Sequence, residues 1–282
     1  MTLEPLHFHA QAMATTFELV LVHEDGEYAA QAAEAVFSEI ARLEEELSRF
    51  RHTSDIWRLG LLKAGESMRL CLSAWDCLNL AKQVWRETSG AFDVTVGPLM
   101  NLWREMPGLP FDPQQEPLKS LIPSVGSQRF ELDADELSIQ VLATGMAFDL
   151  GAIGKGYALD QAAVLLGQWG LESAFLNAGD STLLALDPPP GEEGWSVTLA
   201  EGAQQRFLCR QALSGSGFAV KGAHLMDPRQ LKPLPLNAQR SYAIAPSAAL
   251  SDALSTAFMV MSQEEIAALC GRYPGQIEAM RI

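Results

Sequence analysis

Positive charge is what this sequence has least of. Lys plus Arg come to 20 against 35 Asp plus Glu, a formal net charge of −15. Phosphate backbones and anionic membranes are bound by positive surfaces, so this balance argues against a nucleic-acid or anionic-membrane partner. It also sets a condition. A phosphorylated ligand would need local positive charge or a metal ion to bind against the field of the chain. Cysteine is scarce as well: Cys71, Cys77, Cys209 and Cys270, no two of them spaced as a zinc knuckle or a redox pair. Their apolar neighbours make them expected small buried hydrophobes. No apolar run approaches the roughly 18 residues of a membrane helix. Met1 to Gln11 has no basic start and no apolar stretch, so no signal peptide is expected. The chain as written reads as cytoplasmic, or as periplasmic if a leader was removed.

What is present is an ordinary globular composition, 48% hydrophobic and 20% charged over 282 residues, which excludes a disordered chain. That length buries most of the unfolded surface without disulfides or zinc. Phe17 to Val22 alternates toward the Asp25-Gly26 turn, a strand. Val36, Ile40, Leu43 and Leu47 mark one face of a helix, and Cys71, Trp75, Leu78 and Trp85 mark another over 72–88, with Gly90 as its cap. Phe130, Leu132, Leu137, Ile139 and Val141 alternate around a turn at 133–136, a hairpin. A helix over 155–169 stops at Gly170, and strands are expected at 173–176, 196–199, 207–210 and 242–245. Ser262 and Glu265 form a capping box. Five prolines between 106 and 123 predict a long loop or a connection between two lobes of a single 1–282 domain. Irregular alternation with hairpins implies an α+β fold, mainly antiparallel sheets with packed helices.

Four segments carry possible chemistry. Asp149-Leu150-Gly151-Ala152-Ile153-Gly154-Lys155-Gly156 sets glycines and a lysine before a helix, where backbone amides attract anions. It lacks the spacing of a Walker loop, and a glycine-rich turn with a surface lysine would read the same way. Asp252 and Thr256, four apart, share a helix face and could hold a hard cation together with carbonyls and phosphate oxygens. Alternatively, Asp252 only complements the helix dipole. His224, Asp227 and Arg229 precede or follow a proline-fixed turn and could line a pocket, or Asp227 could merely cap that turn. Asp93, inside the apolar run Ala91-Phe92-Asp93-Val94-Thr95-Val96, is a buried polar group that needs a partner. His7, His9, His23 and His52 are scattered and read as surface or packing residues.

These four segments, in this order, resemble the ApbE family, the FAD:protein FMN transferases. The resemblance runs from Met13-Ala14-Thr15-Thr16 to Asp252–Thr256 and includes Leu47–Phe50, Ile56–Leu59 and Ser173–Gly179. It implies a T-fold-like architecture. It also implies that Met13, Phe50, Ala91, Phe92, Asp93, Asp149 and Lys155 contact FAD. Mg²⁺ would be held by the Ala152 carbonyl, Asp252 and Thr256, and His224 and Asp227 would lie beside the isoalloxazine or the acceptor. The implied reaction moves FMN from FAD onto a Thr or Ser hydroxyl of an acceptor protein, releasing AMP. Lys155 would supply positive charge, and Asp252 or His224 would assist the hydroxyl as base. Two alternatives use the same pocket: an FAD pyrophosphatase giving FMN and AMP, and a non-catalytic FAD-binding protein. Phe50 stands where many members carry tyrosine, and Arg104-Glu105 follows Leu102-Trp103 where the family is usually glycine-rich.

Overall fold

The computed structural model describes residues 4–106, 112, 114–179, 181–199, 204–217, 225–234 and 240–281. The chain opens with β1 (Leu6–Ala12) and β2 (Thr15–Leu21), then α1 (Gly26–Leu47), α2 (Asp55–Leu59), β3 (Ser67–Arg69) and α3 (Leu72–Glu87). There follow α4 (Gly97–Glu105), α5 (Leu118–Leu121), β4 (Phe130–Asp133), β5 (Ser138–Val141) and α6 (Gly154–Gln168). Next come β6 (Ala174–Ala178), β7 (Thr182–Ala185), β8 (Trp195–Leu199), β9 (Gln204–Leu208) and β10 (Gln211–Ser216). The last part holds β11 (Met226–Asp227), β12 (Lys232–Pro233), β13 (Ser241–Ala245), α7 (Ala248–Val260), α8 (Gln263–Arg272) and β14 (Glu278–Arg281). Among the described residues no helix is long and apolar enough to cross a membrane.

Seven strands form one antiparallel sheet in the order β1-β2-β6-β7-β10-β13-β14. The period of two sends alternate residues to opposite faces. Phe17, Leu19, Ala174, Leu176, Ala212 and Ala243 join the main core with α1, α3, α6 and α7. Phe175, Leu183, Leu213 and Tyr242 point the other way, into a second cluster closed by the β8–β9 hairpin. On α1, Val36, Ile40, Leu43 and Leu47 are all buried, as their spacing predicts. Each such side chain contributes about 1.5–3 kcal/mol by leaving water. A third cluster, Leu99, Leu102, Leu118, Val125 and Met226, gathers around α4 and α5. The β3-β5-β4 sheet contains the expected 130–141 hairpin.

Several local expectations need correction. The buried face of α3 is Ala74, Cys77, Leu78, Ala81 and Val84, while Trp75 and Trp85 flank it half-exposed. Small residues let α3 pack closely, and the indoles cover its edges. The helix ends in a Schellman motif whose left-handed residue is Ser89 (φ 50°), with the Gly90 N–H donating to the Trp85 carbonyl at 2.8 Å. The β-rich run Val94–Val96 is a 3₁₀ turn, because Asp93 caps it by accepting from the Thr95 N–H at 2.8 Å. Cys209 is exposed, and Cys71 and Cys270 half-buried, so only Cys77 is a core thiol; Cys209 lies in the β9–β10 turn. The proline-rich stretch contains α5 and a 3₁₀ turn at Ile122–Ser124, while residues 107–111 and 113 lie outside the described residues. The 262–265 capping box and the Gly170 stop, at φ 69°, are formed as expected.

Candidate functional site

The site is built where α6 crosses the start of α7. A Cβ on Gly156 would stand 2.2 Å from the Ala248 carbonyl oxygen, so only glycine allows this approach. Asp160, one turn further along α6, accepts from the backbone N–H groups of Ala248 (2.7 Å) and Ala249 (2.9 Å). Two otherwise orphaned amides of α7 are thereby satisfied by another helix. Burial pushes the Asp160 carboxyl up to about 6, and the charge of Asp252 adds to the rise against those two hydrogen bonds.

This crossing brings together the glycine-rich segment and the Asp252–Thr256 face. Lys155 and Asp252 are both buried, with Nζ 3.4 Å from Oδ2. Nζ also donates to the Gly151 carbonyl at 3.2 Å, and the Gly156 N–H points to Asp252 Oδ2 at 3.4 Å. Among the described residues, Asp252 Oδ1 accepts no hydrogen bond and neither does the Ala152 carbonyl. Thr256 shares its hydroxyl with Ser216 Oγ at 3.1 Å, and Ser216 Oγ also meets Ser255 Oγ at 2.8 Å. Ala152, Lys155, Asp252 and Thr256 all line one cavity of about 940 Å³, which reaches from this crossing to the apolar cluster under β8–β9.

The cavity wall answers the charge condition set by the acidic sequence. Arg49, Arg104, Lys155 and Arg240 line it, against the carboxylates of Asp93, Asp149 and Asp252. Arg49 pairs with Asp149 at 2.9 Å, and burial holds its guanidinium below the usual arginine range. Phe50 is 67% exposed at the wall, with Arg49 4.8 Å and Arg104 5.6 Å from its ring centre. Ala91 and Phe92 line the same space. Asp93 faces it too, yet its oxygens are engaged within the fold. Oδ1 accepts from Thr95 Oγ1 (2.7 Å) and Ser127 Oγ (2.8 Å), and Oδ2 from the Ser127 N–H (2.9 Å).

Other candidates sit differently. Met13 packs half-buried against the main core at φ 49°, and it is the next residue, Ala14, that reaches the cavity. Asp227 is buried and accepts from the Arg229 N–H at 2.9 Å, capping its turn, while Leu225, Met226 and Pro228 line the cavity. His224 lies outside the described residues. Arg104 and Arg240 received no role from the sequence. A lone arginine carries no local pattern, and only the fold turns these two toward one space.

The oxygen set of Ala152, Asp252 and Thr256 suits a small hard cation that keeps water or phosphate in its remaining positions. Among the described residues no three His, Cys, Asp or Glu side chains cluster as a metal centre, so such an ion would depend on ligand oxygens. A cavity with an apolar end and a cationic, oxygen-rich end fits a molecule that is part ring system and part phosphate. The fold and site thus define an α+β protein with one large cavity whose lining suits a nucleotide-like ligand. The ApbE family model matches residues 13–281, and the chain belongs to that family. It is 24% identical over 283 residues to the FAD:protein FMN transferase of Escherichia coli (strain K12), covering 90% of this chain and 78% of that protein. The FAD:protein FMN transferase of Salmonella typhimurium is 23% identical over 280 residues, with the same coverage. The apo crystal structure of the flavinyl transferase ApbE from Pseudomonas stutzeri superposes with a TM-score of 0.85 at 25% identity, covering 100% of this chain and 93% of that one. The ApbE protein of Thermotoga maritima gives 0.84 at 23% identity, covering 99% and 94%.

Proposed function

We propose that this chain is an FAD:protein FMN transferase. It would move the FMN half of FAD onto a Thr or Ser hydroxyl of an acceptor protein and release AMP, with Mg²⁺ at the phosphates. The observation that carries this reading is the Lys155–Asp252 pair, which joins residues 97 apart in sequence on the wall of the cavity. In the reaction a bond forms between the acceptor oxygen and the FMN phosphorus. The anhydride bond to AMP breaks, and the hydroxyl proton passes to a base. Asp252 and His224 remain the two candidates for that base.

The work of the protein is positioning and charge neutralisation, because charge grows on the phosphate oxygens as AMP leaves. Lys155, fixed by the Gly151 carbonyl and Asp252, presents its ammonium without losing rotamer freedom at the moment of reaction. Arg49, held by Asp149, adds a second fixed cation. Phe50 offers an exposed ring face for stacking. Mg²⁺ held by the Ala152 carbonyl, Asp252 and Thr256 would supply Lewis acidity at the phosphate oxygens.

Incubating the protein with FAD, Mg²⁺ and a candidate acceptor should give an acceptor heavier by one FMN, with AMP released in step. AMP released equally fast without acceptor would assign a pyrophosphatase instead. FAD retained without AMP would assign a carrier.

A further inference from the structure

We propose that Arg240 is a phosphate-contacting residue of this site, reaching the diphosphate of FAD from a different element than Lys155 on α6 and Asp252 on α7. The inference rests on the flavin reading above and extends it to a residue that the motifs do not contain. Eight of the fourteen arginines of this acidic chain face a carboxylate: Arg42, Arg49, Arg51, Arg58, Arg69, Arg210, Arg229 and Arg272. Arg240 is half-buried, lines the cavity, and has no carboxylate partner among the described residues. Removing a guanidinium from water without a counter-charge is unfavourable unless an anion completes it.

Its surroundings aim it rather than neutralise it. Nη1 donates to the Tyr242 hydroxyl at 3.2 Å, and the guanidinium carbon lies 5.9 Å from that ring centre. A Cβ on Gly217 would come within 3.2 Å of Arg240 Cγ and 3.3 Å of Nε, so glycine there leaves the arm its course. The backbone beneath is tied to the cation-holding face. Ser241 pairs with Ser216 across β13 and β10, and its Oγ donates to the Ser255 carbonyl at 2.6 Å. Ser216 Oγ in turn meets Thr256 Oγ1 at 3.1 Å. Arg240 itself shares the strand face of Tyr242, opposite that of Ser241, so its fork enters the same cavity from the β8–β9 side. A planar fork there suits two oxygens of one phosphate.

The test compares ligands with and without phosphate. FAD, ADP and riboflavin are titrated, first without metal and then with Mg²⁺, into the wild-type chain, Arg240→Gln and Arg240→Lys. Arg240→Gln should bind FAD and ADP on the order of 10- to 100-fold more weakly, the range for a lost charged hydrogen bond, and riboflavin unchanged. Arg240→Lys should recover part of the loss. FAD and ADP affinities kept within about twofold, or an equal loss for riboflavin, would overturn the proposal. If Arg240→Gln does not fold, Tyr242→Phe takes its place. Losing the hydroxyl that steadies the fork should weaken FAD and ADP several-fold and spare riboflavin, and no change in any ligand would overturn it. A wild-type chain that binds ADP but not FAD would remove the flavin reading and leave the Arg240 comparison readable on ADP. A wild-type chain that binds neither would overturn both.

Discussion

Lys155 Nζ lies 3.4 Å from Asp252 Oδ2, and both side chains are buried at the crossing of two helices. Neither group can be removed without leaving its partner uncompensated. Asp252→Asn keeps the shape but removes the charge. FMN transfer should fall by on the order of 100-fold or more, the scale of losing one placed electrostatic group. Acceptor mass measured over time checks this, and a variant that transfers at the wild-type rate removes Asp252 from the chemistry.

Gly156 and Gly167 lie on the same helix in opposite circumstances. A Cβ at 156 would meet the Ala248 carbonyl at 2.2 Å, whereas one at 167 meets nothing within 4 Å. Gly156→Ala should destabilise by about 1–3 kcal/mol, the range for overpacking, and should abolish transfer by prising α7 from α6. Gly167→Ala should raise stability by up to about 1 kcal/mol, as alanine replaces glycine within a helix. Thermal unfolding of both variants reads the contrast.

Asp160 makes stability depend on pH. Its carboxyl is raised from 3.8 to about 6, so the folded state favours the neutral form. That contribution is full below about pH 4 and is lost as pH rises through about 6. Asp160→Asn is neutral throughout. The stability of the wild type relative to this variant should therefore decline between pH 4 and 6 and level off above. Urea midpoints across that range provide the measurement, and parallel curves would contradict it.

Asp93 holds Thr95 and Ser127 through four hydrogen bonds. Asp93→Ala leaves these buried donors unmatched and should cost several kcal/mol at about 1–3 each for the worst placed. A lowered melting temperature without FAD would show this structural role. An unchanged one would leave only ligand contact as its function.

The thiols offer a simple check on packing. A thiol reagent should modify Cys209, which is exposed, while the folded protein protects Cys77, whose thiol burial pushes well above its ordinary range. Modification of both at equal rates would mean that α3 is not seated as described.

Much of the architecture was legible in the sequence because it follows local periodicity. The α1 stripe, the 130–141 hairpin, the Gly170 stop and the 262–265 box each depend on residues within a turn or two of one another. The site was legible where a motif marked it, at 149–156 and at 252–256. It was opaque where a partner decides the role. Asp93 gave the same signal whether it faced a ligand or Ser127. The α3 stripe was misplaced because tryptophans outweigh alanines in an apolar count, although close helix packing needs the alanines. Arg104 and Arg240 carry no pattern at all, and only the folded cavity gathers them.

The guanidinium of Arg281, on β14, donates to the carbonyls of Phe258 and Met261 at the end of α7. The closing strand is thus a buckle on the helix that carries Asp252 and Thr256. Trimming the chain back past residue 278 would unfasten α7 from its far end, and catalysis would fail through a residue that never meets the substrate.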